Sequence, residues 1–571
     1  MSERVNSNDI PSVSELNDLR VVDATSSQLV DALAWRLRQD APSLSLEAWR
    51  RIEDTLLSAS HVVKIAVNTT SPIHRLPVET LMAIFLFVPR GDQDRWRYSY
   101  LTILDGGMTH PREVVRLTHV CQHWRSIAIG IPALWTNIRV SDHTVSAEAH
   151  ATFIERSGNA SLTVGLRGDP PNAPIISLLE QTPSRIKDLR WDMVTSRDFE
   201  KFIRPLAPTL EALTFRGNDW YYGRWEKLRL LGRLQPQLRL LCLKDSSHLP
   251  SDQFTNLTSL CVENFDITQD DDSREAFVCL LNGAPLLATL VLAGTRRLNT
   301  PQAIRTSRRV AIQPATVPAL QRCVFRGVHV ERVKCYLSLM TLRPTVAISV
   351  DGYGGDYWDM HWDLKELPLM SRMTRCAVRS VQDGTADILA VGSASGFRCH
   401  YEGDATKWNS WRYSTDIFTE TISCKQFREL WLTFWPEYTN LERSASAMLG
   451  FFYSFPNLDT MTIADKYLPV CVRALAGPEG TKSIVCGDLR VVRVILGEYD
   501  ARTALDMMAD ELTDINIVLS DVPPPAPGQE ADNANLEELS PSVTYLPMCP
   551  RMEIPAVCEA DTDSVAWPAW A

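Results

Sequence analysis

The chain has 571 residues, 45% of them apolar and 22% charged, which is enough apolar material for packed cores and excludes wholesale disorder. At roughly 150 residues per domain, about two to four units are expected. Its 58 Lys and Arg against 69 Asp and Glu leave a net charge of −11, a poor match to a general polyanion binder, so no nucleic-acid partner is expected.

Residues 1–24 are polar and mixed in charge, and read as a flexible N-terminal arm without the basic and apolar regions of a secretory signal. The longest apolar block, Phe277 to Leu292, is interrupted by Asn282, Gly283 and Pro285 and is too short to span a bilayer, so no membrane partner is expected. The 13 cysteines include no C-x-x-C pair. Most sit in apolar runs (Cys242, Cys261, Cys279, Cys323), which suggests buried, reduced thiols and a cytoplasmic or nuclear location.

Residues 25–70 read as lead-in helices. Leu29, Leu33 and Leu37 share one helical face, and Pro42 breaks the run. A second helix is expected from about Ser45, with Leu46, Trp49, Ile52 and Leu56 on one face. Ser71-Pro72 then punctuates the chain. Pro77 suits the first turn of the next helix, where its missing N–H is not needed, and Glu79 sits near the positive end of that helix's dipole. Leu81, Ile84 and Phe85 form its apolar face. A polar insertion of more than 20 residues, 89–111, separates this helix from a helical block over 114–128, and Ile131 to Trp135 closes the unit.

These residues carry a resemblance. Leu76-Pro77-x-Glu79 with Ile84-Phe85, then Val120-Cys121-x-x-Trp124-Arg125, then Pro132-x-Leu134-Trp135, is similar to the F-box family. The form is closest to the F-box-like variant of mushroom-forming fungi, with helical lead-in, Pro-Ile-x-x-Leu-Pro, long insertion and Leu-Trp close. His74-Arg75 and the length of the insertion depart from the compact F-box. The resemblance implies docking of a Skp-type linker protein through Leu76, Pro77, Leu81, Ile84, Phe85, Val120 and Cys121, with Trp124 shared between contact and core. An F-box-like domain is thus expected over 71–140 and a helical connector over 141–160.

From 161 to 520 an apolar-x-x-apolar-x-apolar core recurs. Its copies start at Ile186, Leu210, Leu238, Leu257, Leu287, Leu320, Met373, Phe427, Leu458 and Leu489. The spacings are 24, 28, 19, 30, 33, 53, 54, 31 and 31 residues. Most fit one short strand plus a helix or turn, the logic of a leucine-rich repeat, in which no unit buries its apolar face alone. The two long spacings suggest degenerate or skipped units, and an ordinary α/β domain is the competing expectation. Residues 521–571 hold nine acidic residues and one basic residue after a Pro-rich start, and read as an extended acidic tail. Trp567 and Trp570 in it suit either a plain terminus or a short partner motif. The expected fold is therefore α+β and multidomain: N-terminal helices and a small helical F-box unit, then an irregular leucine-rich-repeat-like α/β solenoid.

No catalytic constellation emerges. His119 and His123 lie four apart but lack further ligands, so no metal is expected. Asp270-Asp271-Asp272 reads as a solvated loop. The glycines at 352–355 lack the Lys-Ser/Thr of a phosphate loop, and the run 392–396 has alanine where a nucleophile elbow needs serine. No cofactor is implied. The expected function is a non-enzymatic substrate-recognition adaptor that joins an unknown protein substrate to a Skp-linker, cullin and RING ubiquitin ligase. A non-catalytic scaffold acting without the cullin, or an unrecognised enzyme in 160–520, are the alternatives.

Overall fold

The computed structural model describes residues 19–40, 43–87, 111–140, 147–167, 180–194, 203, 205–206, 208–217, 237–246, 248–267, 271–294, 312–328, 330–353, 367–380, 386–401, 424–433, 441–477, 485–497, 499–509, 512, 515–521, 543–546, 548–559 and 570. The insertion expected over 89–111 lies almost wholly outside them, as do Trp567 and the glycine run 354–355. Two compact units are present: Met1–Ile84 with Thr118–Ile127, and Phe85–Leu117 with Ala128–Ala571.

In the first unit, α1 (Leu19–Asp40) starts six residues ahead of the Thr25 expected. α2 (Leu46–Thr70) starts where Ser45 predicts: the Ser45 side chain accepts the Ala48 N–H, filling one orphan donor of the first turn. No residue of α2 is buried. α3 (Val78–Phe87) follows a short 3₁₀ turn, Pro72–Arg75. The helical block expected over 114–128 is two helices, α4 (Pro111–Val120) and α5 (Gln122–Ile129), parted at Cys121. The break has a local cause. Cys121 Sγ accepts the Trp124 N–H at 3.4 Å, as a capping side chain does, and its carbonyl accepts the Arg125 N–H at 2.9 Å. The Arg125 side chain meanwhile donates to the Thr118 carbonyl at the end of α4.

The second unit is built on one 17-stranded, parallel-rich sheet. β1 (Asn137–Val140), β2 (Leu162–Arg167), β3 (Ile186–Val194), β4 (Ala212–Gly217), β5 (Leu240–Lys244), β6 (Ser259–Glu263) and β7 (Thr289–Ala293) pair in sequence order, all parallel. β8 (Ala315–Thr316) instead pairs with β10 (Met340–Thr341) beside the sheet. β7 continues to β9 (Arg322–Arg326) and then to β11 (Ala347–Tyr353). β12 (Arg375–Ser380), β13 (Ala386–Val391) and β14 (Gly396–Tyr401) form an antiparallel meander, entered in reverse: β11 pairs with β14, and β12 pairs onward with β15 (Glu429–Leu432). β16 (Thr460–Ala464), β17 (Val491–Ile495), β18 (Asn516–Ser520) and β19 (Val543–Leu546) complete a parallel run.

The last two apolar positions of each repeat core fall on one of these strands and the first lies on or just before it, with every apolar position buried in a single cluster. The registers align the cores: Leu241 faces Leu260, Leu260 faces Leu290, and Leu290 faces Cys323. Helices α6 (Ala147–Arg156), α7 (Asp271–Asn282), α8 (Val330–Ser338), α9 (Leu441–Phe452), α10 (Leu468–Ala476) and α11 (Ala501–Ala509) supply the other side of that cluster. The long spacing from 320 to 373 contains β11, whose Ile348 and Val350 face Cys323 and Phe325; polar Thr345 stands where an apolar residue would complete the pattern. The spacing from 373 to 427 contains the antiparallel β13 and β14.

The sheet also runs past the 161–520 expected for it. β1 lies within the F-box-like segment, and β19 lies in the stretch expected as an acidic tail. That tail expectation came from composition averaged over its length. Its apolar residues are concentrated locally: Cys558 and Trp570 are buried, and Cys549, Met552, Ile554 and Val557 pack beside them. Cys279, expected to be buried, is exposed on α7. Burial pushes the thiols of Cys399, Cys486 and Cys558 up to about 12, so these remain protonated packing groups.

A turn residue recurs one position after the strands. Asp245 (φ 47°), Asn264 (φ 60°), Gly327 (φ 57°) and Asp521 (φ 59°) take the left-handed conformation. Asp, Asn and Gly are the residues that visit it most readily. Past three of these strand ends the ladder extends, through Asp245 N–H to Glu263 O, Asn264 N–H to Ala293 O, and Gly327 N–H to Asp351 O. The Asn264 side-chain amide donates to Asp245 Oδ1, stitching adjacent turns. Asn264→Val is expected to lower stability by about 1–3 kcal/mol through backbone strain, with Asn264→Gly losing less. Paired thermal melts of the two variants check this, and equal losses would rule out the backbone as the cause.

Candidate partner-docking surface

The residues that open α3 are set by hydrogen bonds around a proline. Leu76 N–H donates to Ile73 O, ending the 3₁₀ turn, and the Pro77 carbonyl accepts the Leu81 N–H to begin the helix. His74 lies against the start of α5. Its ring centroid is 5.5 Å from that of His123 and 6.5 Å from that of Trp124, at 29° to the latter, and its Nε2 is 3.8 Å from Cys121 Sγ. His74 thus ties the 3₁₀ turn to Cys121 and Trp124, a packing role absent from the sequence reading, which marked it only as a departure from the family pattern.

The structure sorts the expected linker contacts into two groups. Within the first unit, Leu76 and Pro77 are exposed, Val120 is 56% exposed, and Ile84, Cys121 and Trp124 are half-buried. Leu81, expected at the contact, has no exposed surface, and neither has Phe85 in the second unit. Residues 81 and 85 lie one helical turn apart, so they share a face, and that face of α3 points inward. Val78 begins that same face but is exposed at the start of the helix, and off the face Leu86 is exposed too, with Phe87 63% exposed at the helix end. Leu86 and Phe87 were missed in the sequence; the signal was an apolar pair past the end of an already complete apolar face.

In the second unit, Trp135 closes the segment as an anchor. It is fully buried and donates from Nε1 to Ala128 O at 2.8 Å. It packs edge-on against Phe153 of α6, and the Arg156 guanidinium lies 4.5 Å over its ring.

The sheet face opposite the helices holds a second constellation, a buried ion network. The Asp387 carboxylate, fully buried on β13, accepts from Arg398 on β14 at 3.1 Å, Arg379 on β12 at 3.3 Å and His400 Nδ1 at 2.8 Å. Arg398 also reaches Asp351 on β11 at 3.3 Å. Burial alone would raise the Asp387 carboxyl; the hydrogen bond with His400 and the charge of Arg398 outweigh it and hold it below its ordinary 3.8. The network offers neither a nucleophile nor an open coordination position, and its geometry suits the locking of four strands, β11 to β14. Among the described residues, no group of three or more His, Cys, Asp or Glu is placed to hold a metal ion. Among them also, no helix is long and apolar enough to cross a membrane.

Residues 73–141 match the F-box-like family model, so this segment is an F-box-like domain. A solved structure, the crystal structure of the Rad7 and Elc1 complex in yeast, aligns over 83% of this chain and 98% of that chain, with 12% identity and a TM-score of 0.24. No curated relative matches the chain.

Leu81→Ala is expected to cost about 2–5 kcal/mol, while Val120→Ala stays within about 0.5 kcal/mol; denaturant titration of both tests the inward and outward assignments. Asp387→Ala is expected to cost about 3–5 kcal/mol, because Arg398 is left buried without its main partner. The depressed carboxyl contributes stability above its ordinary value of 3.8, lost as the pH falls below it. Wild type should therefore lose more melting temperature between pH 5 and pH 3 than Asp387→Asn does. Equal losses would show that other groups govern the acid limb.

Proposed function

We propose that the chain is the substrate-recognition adaptor of a Skp-linker, cullin and RING ubiquitin ligase. The observation that carries this reading is the F-box-like domain at 73–141, with apolar side chains left exposed at Leu76, Val78 and Val120. Apolar side chains held in water on a small helical domain are favourable docking points for a partner that buries them.

We further infer that the second unit is an irregular leucine-rich-repeat-like solenoid and serves as the recognition domain. Its support is the recurrence of one apolar core per strand, the aligned registers, and the Asp, Asn or Gly turn that follows. In this reading the chain performs no chemistry of its own. It holds a substrate lysine near a charged conjugating enzyme, so the second encounter becomes intramolecular at an effective concentration of order mM.

The test is co-purification of a Skp-type linker and a cullin with the full-length chain, beside Leu76→Ala/Pro77→Ala/Val120→Ala. These three positions are exposed, so the variant should keep its melting temperature. Linker recovery at least tenfold lower from a variant that is still folded supports the adaptor. Linker without cullin, from wild type, would favour a scaffold of another kind. No linker from wild type overturns the reading.

A further inference from the structure

The sheet has two faces, and among the described residues helices cover only one. On the other, Cys242, Cys261, Val291, Val324 and Leu389 lie mid-strand on β5, β6, β7, β9 and β13, each at most 2% exposed. Their companions in the same cluster are Cys558 and Trp570, from the end of the chain. Residues 548–559 follow β19, and Cys549, Met552, Ile554 and Val557 turn towards the sheet while Arg551 and Glu553 remain exposed.

Two kinds of contact hold this segment. The first is to its main chain. Arg322 on β9 donates from Nε to Val557 O at 3.0 Å and from Nη2 to Glu559 O at 3.2 Å. Arg375 on β12 donates from Nη1 to Glu553 O at 2.6 Å, and its Nη2 meets the Glu553 carboxylate at 3.3 Å. Val557 lies in a 3₁₀ turn, Ala556–Cys558, that Glu559 caps, whereas Glu553 lies in the irregular stretch before it; bonds to carbonyls hold this backbone path whatever its side chains. The second contact is specific in shape. A Cβ on Gly396 would overlap the Trp570 ring and come within 2.5 Å of Cys558 Sγ, so the absence of a side chain on β14 makes the seat for the aromatic ring.

We propose that this face is the peptide-binding surface of the recognition domain, and that residues 548–559 with Trp570 are its intramolecular occupant, holding it shut. The partner it fits is a polypeptide segment with an apolar side chain every second or third residue, as at Cys549, Met552, Ile554 and Val557. That segment brings one aromatic anchor for the Gly396 seat and main-chain carbonyls for Arg322 and Arg375. This rests on reading the second unit as the recognition part of an adaptor. The occupant is tethered, so a partner in trans competes with an effective concentration of order mM, which weakens its apparent affinity until the tail is released. The large cluster between sheet and helices does not include Cys558 or Trp570, so release leaves the main core intact.

The test uses full-length chains: wild type, Trp570→Ala, and Trp570→Ala with Gly396→Leu. The probe is a fluorescent synthetic peptide spanning residues 547–571, followed by anisotropy. Trp570→Ala should bind the peptide on the order of tenfold or more tighter than wild type, because its own tail competes less well. The double variant should lose that gain. Hydrogen exchange should quicken in 548–559 of Trp570→Ala and stay unchanged in β9, β11 and β14. No gain in peptide binding, or faster exchange throughout those strands, overturns the proposal and makes the segment a fixed part of the fold. Linker capture by the same three proteins is read in parallel. Linker retained without peptide binding defeats this inference alone, whereas linker absent from all three defeats the adaptor reading.

Discussion

A single short strand with apolar side chains on one face cannot bury them alone, and this constraint organises the second unit. Each strand lends its neighbour a wall, so Leu241, Leu260, Leu290 and Cys323 sit in one aligned row from β5 to β9. A slip of one residue at any pairing would turn a core row onto the opposite face. The left-handed residues at the strand ends protect the register. Asp245, Asn264 and Gly327 take the left-handed turn one position after β5, β6 and β9, while their N–H groups carry the ladder one step further. Asp465 makes a similar tie between later units: its buried carboxylate accepts from Gly497 and Tyr499 N–H at 2.7 and 2.8 Å. Strand order, helix layer and open face all follow from keeping these rows aligned.

That regularity explains which parts of the fold were legible. A buried row imposes the same apolar spacing on every unit, so ten cores could be found in the sequence. The turn was equally visible in Leu243-Lys244-Asp245, Val262-Glu263-Asn264 and Phe325-Arg326-Gly327, yet it lies two positions past the end of the repeated apolar spacing. β11 was hidden because polar Thr345 interrupts the pattern where the neighbouring strands still supply the wall. The reversal at β13 has no periodic signature: antiparallel pairing depends on which strand lies alongside, which spacing does not encode.

The F-box-like segment was legible for a different reason. Its residue types occur in a fixed order, and that order survives a long insertion. What a motif does not specify is which way each side chain faces. Leu76, Leu81, Phe85 and Val120 are all apolar, but only Leu76 and Val120 reach solvent, because helical geometry gives a shared face without giving its direction. His74 illustrates the converse. It departs from the motif, and it is packed between the 3₁₀ turn and α5 because Cys121, His123 and Trp124 leave room for a flat ring there.

The C-terminal residues connect these two lessons. Averaged composition made residues 521–571 read as a solvated tail, whereas a few apolar positions decide where they go. A bare sheet face with Cys242, Cys261, Val291, Val324 and Leu389 in water would be a large contiguous apolar patch, of a kind that soluble chains seldom leave open. The property that suits such a face to binding also demands a cover when no partner is present. A chain segment that continues from the sheet edge at β19 meets that demand at little entropic cost, since its near end is already fixed. Arg322 and Arg375 complete the arrangement, because a covering backbone brings carbonyls out of water and each needs a donor to replace it.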